Sequence, residues 1–76
     1  MSLISVDSSV LLRVGHDSDS QTLWLQFRSL AVYCYFGVPD TVYCELAKAA
    51  SKGAYFNRYI RDRYPFCRLS NTSSLP

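Results

Sequence analysis

The chain lacks any apolar run long enough to cross a bilayer, so no membrane-spanning helix is expected. Charge is also sparse. Charged residues make up 18% of the chain against 49% apolar ones, a balance that excludes a disordered polyelectrolyte. There is no Cys-x-x-Cys pair. The cysteines are three, Cys34, Cys44 and Cys67, and the odd count argues against a disulfide framework or a zinc site. They read as small apolar fillers in a reducing, cytoplasmic setting. Met1-Ser2-Leu3-Ile4 has no basic segment ahead of an apolar core, so a secretion signal is not expected. The Asn71-Thr72-Ser73 glycosylation pattern is discounted for the same reason. No P-loop, no Rossmann glycine pattern and no metal motif occurs, so no cofactor is expected. There are no internal repeats and no linker to a second domain.

What is present is a pair of strand-like segments. Thr22-Leu23-Trp24-Leu25-Gln26-Phe27-Arg28 and Ala31-Val32-Tyr33-Cys34-Tyr35-Phe36 both alternate at period two. A two-residue turn, Ser29-Leu30, would pair Arg28 with Ala31, Phe27 with Val32, Leu25 with Cys34 and Trp24 with Tyr35. That register collects Leu23, Leu25, Phe27, Val32, Cys34 and Phe36 on an apolar side. It collects Trp24, Gln26, Arg28, Tyr33 and Tyr35 on the other, and a slip of one residue would scramble both. Val10-Leu11-Leu12-Arg13-Val14 reads as an earlier strand with Val10, Leu12 and Val14 inward. A loop over Asp17–Ser20 would pair Val14 with Leu23 and Leu12 with Leu25, placing Arg13 beside Trp24.

Gly37-Val38-Pro39-Asp40 switches the period. Proline fits a first helical turn and Asp40 suits the positive end of the dipole, so a helix is predicted over Pro39–Ala50. Ser51 is the expected N-cap of a second helix over Lys52–Arg63, which Pro65 would end at Tyr64. The expected fold is α+β: a three-stranded antiparallel meander with two helices packed on its apolar side. Residues 1–68 would form the domain and 69–76 a frayed, flexible tail.

An ordered set of residues resembles a known family. Ser8-Ser9, Val14-Gly15-His16-Asp17, Thr22-Leu23, Phe27, Tyr33-Cys34-Tyr35, Gly37-Val38-Pro39, Val42-Tyr43, Leu46, Ala50-Ser51, Gly53, Tyr55-Phe56-Asn57, Ile60-Arg61 and Tyr64 are similar to the KTSC domain. That domain ends some lysyl-tRNA synthetases and also stands alone in bacteria and phage. The resemblance covers about Ser8 to Tyr64 and implies the fold; it implies RNA binding only through attachment to a synthetase. Two positions depart from the family pattern. His16 stands where tyrosine is usual, and Leu30 where a glycine usually makes the hairpin turn.

Charge is divided along the chain. Up to Leu46, Arg13 and Arg28 face Asp7, Asp17, Asp19, Asp40 and Glu45, a balance of −3. Beyond it, Lys48, Lys52, Arg58, Arg61, Arg63 and Arg68 face Asp62 alone, a balance of +5. A basic half suits a polyanionic partner, although helices also carry solvated basic side chains. The candidate RNA surface is a platform of Trp24, Tyr33 and Tyr35 for base stacking, edged by Arg13 and Arg28. Lys52, Arg58 and Arg61 would take phosphates, with Ser51, Lys52 and Gly53 as an anion site at a helix start. The alternative is a protein-interaction module or phage-encoded inhibitor, using the aromatic face to bind a protein partner or a second copy. Cross-strand aromatic pairs also stabilise sheets without any ligand. Catalysis has little support, because His16, the serines and the cysteines form no acid, base and nucleophile set of recognisable spacing.

Overall fold

The computed structural model describes residues 3–69. Five antiparallel strands form one sheet in sequential order: β1 (Ile4–Ser5), β2 (Leu11–Asp17), β3 (Thr22–Phe27), β4 (Val32–Tyr35) and β5 (Phe66–Leu69). Between β4 and β5 lie α1 (Asp40–Lys48), α2 (Lys52–Tyr55) and a π-helical turn over Phe56–Ile60 that continues α2. The class is α+β, but the meander has five strands where three were expected. Leu69 belongs to β5 and not to a tail, while residues 70–76, with Asn71-Thr72-Ser73, lie outside the described part.

The β3–β4 hairpin turns on three residues instead of two. Leu30 N–H donates to Phe27 O at 2.8 Å, Phe27 N–H donates to Ala31 O at 2.9 Å, and Leu30 has φ +77°. This is a turn followed by one left-handed residue, a frequent three-residue hairpin connection. The extra loop residue moves the register by one. Leu23 faces Tyr35, Trp24 faces Cys34, Leu25 faces Tyr33 and Gln26 faces Val32. Every β4 side chain is therefore on the face opposite to the predicted one. Tyr33 and Tyr35 point to the core side, and Val32 and Cys34 join Trp24 and Gln26 on the other.

In β2 the pairing Val14↔Leu25 and His16↔Leu23 differs from the expected register by two residues, which keeps the faces. Asp17 fixes the connection by accepting from Asp19 N–H and Ser20 Oγ. A bulge at Leu12 lies between the pairs Leu11↔Phe27 and Arg13↔Gln26 and changes the phase once more. Leu11 and Val14 are consequently the fully buried residues, and Val10 is exposed.

The helices cover the side of the sheet that carries Leu11, Val14, Leu23, Leu25 and Tyr35. Leu46 from α1, Phe56 and Ile60 from the π turn, and Val38 from the preceding loop complete the core. His16 ties α1 to the sheet. Its Nε2–H donates to Val38 O at 2.7 Å, Nδ1 lies 3.5 Å from Asp40 Oδ1, and the ring stacks on Tyr43. The second helix ends at Ile60 rather than Arg63. Asp62, at φ +63°, reverses the chain three residues before Pro65. Pro65 then opens β5 by accepting Phe36 N–H at 2.9 Å.

Candidate functional site

With β4 in its true phase, five rings meet at one end of the helix-bearing face. Tyr33 and Tyr35 are two residues apart on β4 with centroids 6.4 Å apart and planes 23° from parallel. Phe66, opposite Tyr35 on β5, lies 5.7 Å from Tyr33 and 5.5 Å from Tyr35. Phe27 meets Tyr33 edge-on at 5.5 Å, and Phe56 meets both Phe27 and Tyr35 edge-on. Between these rings and the chain leaving the π turn runs a groove of about 540 Å³. Asn57, Arg61 and Asp62 form its helical wall, and Ser29 and Ala31 its hairpin end. π turns are frequent at functional sites because they push side chains out of helical phase.

Charge sits on both walls. The Arg68 guanidinium lies 5.8 Å from the centroid of the Tyr33 ring, a cation–π contact. Arg61 lines the facing wall and is exposed. Tyr35 is buried except at the groove, and burial pushes its phenol pKa up. Tyr33 adds to that rise, Arg61 opposes it and Asp62 adds slightly. The phenol therefore stays a neutral hydrogen-bonding group at neutral pH. The groove can stack a flat ring, offer hydroxyl groups to its edge and hold an anion at either rim.

The predicted platform does not form. Tyr33 and Tyr35 are on the groove side, whereas Trp24 faces the other side of the sheet, paired with Cys34 and with Gly15. Arg13 also lies on that side, opposite Gln26 rather than Trp24. Arg28 is a strap, its Nε and Nη2 both donating to Ser8 O at 3.0 and 2.8 Å. At the proposed anion site, Ser51 Oγ accepts Ala54 N–H as a cap and Lys52 Nζ donates to Ala49 O. Gly53 is held against Val10, and α2 itself is four residues long. Arg58 is exposed and sits over the Tyr59 ring. Of the eight nucleic-acid candidates, Tyr33, Tyr35 and Arg61 are brought together. Phe27 read as core in the sequence, Phe56 entered only through the family resemblance, and Phe66 and Arg68 belong to a strand that was not expected. The sequence carries no period-two signal for that strand, since Phe66-Cys67-Arg68-Leu69 does not alternate apolar with polar residues and all four are exposed.

Residues 7–64 match the KTSC domain. The chain belongs to the KTSC domain family. A crystal structure of a KTSC domain protein from Yersinia pestis superposes with a TM-score of 0.88 at 32% identity, covering 91% of this chain and 97% of that one. A lysine–tRNA ligase of Nostoc punctiforme is 38% identical over 68 residues, 90% of this chain. This KTSC chain spans only 12% of that ligase's length. An uncharacterised protein of Stutzerimonas stutzeri is 34% identical over 84% of this chain and 90% of its own length. The KTSC fold thus occurs both as a small protein and as a short part of a much larger enzyme.

Proposed function

We propose that this KTSC domain is a binding module for single-stranded RNA, with no catalytic step of its own. The observation that carries the reading is the groove, where Tyr33 and Phe66 present rings, backed by the buried Tyr35, between Arg61 and Arg68. Stacking of a base on such a ring contributes about 1–3 kcal/mol and tolerates any sequence. The two guanidinium groups suit the flanking phosphates. The similarity to a stretch of lysine–tRNA ligases supports an RNA partner, and the basic second half of the chain is consistent with it.

The test is fluorescence anisotropy with a labelled single-stranded RNA, against salt. Phe66→Ala should weaken binding by about 1–3 kcal/mol, the loss of one stacked base. Phe66 is 55% exposed, so the fold should tolerate its removal. Arg61→Ala and Arg68→Ala should each lower affinity and flatten the salt dependence. Arg13→Ala and Trp24→Ala, on the opposite face, should leave binding unchanged. Absence of binding at low salt ends the proposal; loss confined to Arg13 and Trp24 variants moves the site to the other face.

A second reading has one observation in its favour. β5 is an edge strand whose four residues are all exposed, Phe66 and Leu69 among them. Such an edge can accept a strand from a protein partner or from a second copy. Concentration-dependent sedimentation separates the homodimer form from the RNA module.

A further inference from the structure

Cys34 and Cys67 lie directly opposite each other on β4 and β5. The β4 register that turns Tyr33 and Tyr35 inward turns both thiols to the other face. Cys34 is 6% exposed and Cys67 is exposed, so only one sulfur of the pair is open to solvent. Phe36 N–H bonds Pro65 O. Since bonded and non-bonded pairs alternate along an antiparallel ladder, Cys34 and Cys67 occupy a hydrogen-bonded position with Cα atoms about 5.5 Å apart. That lies within the span a disulfide bridges, about 4.4–6.8 Å. Their Cβ atoms, at roughly 4.5–5.5 Å, are somewhat farther apart than a relaxed bridge prefers.

We propose that Cys34 and Cys67 form a reversible, redox-active disulfide across the two strands, made by exchange with a low-molecular-weight disulfide of the glutathione type. The exposed Cys67 thiol loses its proton and attacks one sulfur of the small disulfide, releasing one small thiol and leaving a mixed disulfide on Cys67. The Cys34 thiol then loses its proton and attacks the Cys67 sulfur, releasing the second small thiol. The protein loses two protons and two electrons, and one small disulfide takes them up to become two small thiols. Burial pushes the Cys34 thiol pKa up, which suits Cys34 to the resolving step rather than the first attack. The strand geometry stretches the bond, and strained bridges are the more easily reduced ones. Cys44, on α1, takes no part. The bond would tie the edge strand β5 to β4 whatever occupies the groove.

The experiment uses the full chain equilibrated in buffers of increasing oxidised-to-reduced glutathione ratio, then quenched by alkylation and read by intact mass and peptide mapping. The reduced protein should take three alkyl groups. The oxidised protein should take one, on Cys44, and yield a linked peptide holding Cys34 and Cys67. Cys44→Ser should leave the linkage intact, and Cys34→Ser should stop at a mixed disulfide on Cys67. Cys67→Ser, a change at an exposed position, should keep both remaining thiols alkylatable. Three alkylatable thiols under excess oxidised glutathione would overturn the proposal. So would a wild-type protein arrested at the mixed disulfide, or one joined to a second copy through Cys67.

Discussion

Leu30 holds a left-handed backbone, at φ +77°, and its side chain is 48% exposed. A side chain in that conformation costs about 1–2 kcal/mol, while glycine carries an entropic cost of about 0.5–1 kcal/mol. Leu30→Gly should therefore stabilise the domain by up to about 1 kcal/mol, read as a higher urea midpoint at unchanged slope. Leu30→Val should do the reverse, because a β-branched residue tolerates positive φ poorly. Gly53 presents the opposite case. A Cβ there would come within 2.7 Å of Val10 Cγ2 and 3.0 Å of Val10 Cβ. Gly53→Ala should cost about 1–3 kcal/mol, the usual range for overpacking. Val10→Ala in the same chain should recover part of that loss, a coupling that a double-mutant cycle measures directly.

The β3–β4 hairpin shows how one such residue governs a whole strand. The alternation in Leu23–Phe27 was enough to assign its two faces, and the structure keeps them. The alternation in Val32–Phe36 was equally clear, but apolar and aromatic residues occupy both parities, so the pattern suited either face. The loop conformation chose between them. The second helix was legible at its start, where Ser51 caps as expected, but not at its end. Its last turn widens to a π turn and closes on Asp62 at positive φ, a reversal that no proline or glycine announces. The two helices are joined by Tyr55, whose O–H donates to Glu45 Oε1 at 2.8 Å. Burial first, then Glu45, raises the Tyr55 pKa from 10.0 to about 12. The sign follows from linkage: a group whose folded pKa is raised contributes stability that is full below its unfolded pKa and is lost as pH rises through the folded one. The domain should lose stability between about pH 10 and 12, and Tyr55→Phe should flatten that part of the profile. Denaturation midpoints measured across that range check it.

Across the molecule, the sheet presents two unlike faces. The helices press on the side bearing Leu11, Val14, Leu23, Leu25 and Tyr35, and the aromatic groove lies at the edge of that packing. The opposite side carries Arg13, Trp24, Gln26, Val32, Cys34 and Cys67. Net charge is only +2, so the field of the whole chain adds little to RNA affinity. If Arg61 and Arg68 are the phosphate contacts, the slope of log K against log salt should be about −1.4, at about −0.7 per contact on a single strand. A slope several times steeper would bring Lys52, Arg58 and Arg63 into the interface, and a salt titration decides between them.

Composition, the period-two stretch Leu23–Phe27, the switch at Gly37-Val38-Pro39-Asp40 and the Ser51 cap were sufficient for the α+β class, the run of three inner strands followed by two helices, and the covered side of β3, but not for β1 or β5. These are local signals, each read within a few residues of itself. Tertiary structure alone decided the phase of β4, the bulge at Leu12 and the pairing of Phe66–Leu69 as a fifth strand. The first and last of those choices place Tyr33, Tyr35 and Phe66 on one side and Cys34 opposite Cys67 on the other. The reason is that strand register is a relation between two segments. It is settled by a loop's backbone conformation and by a partner strand some thirty residues away, at about 3.3–3.4 Å of chain per residue, so a slip of one position exchanges every inward side chain for an outward one.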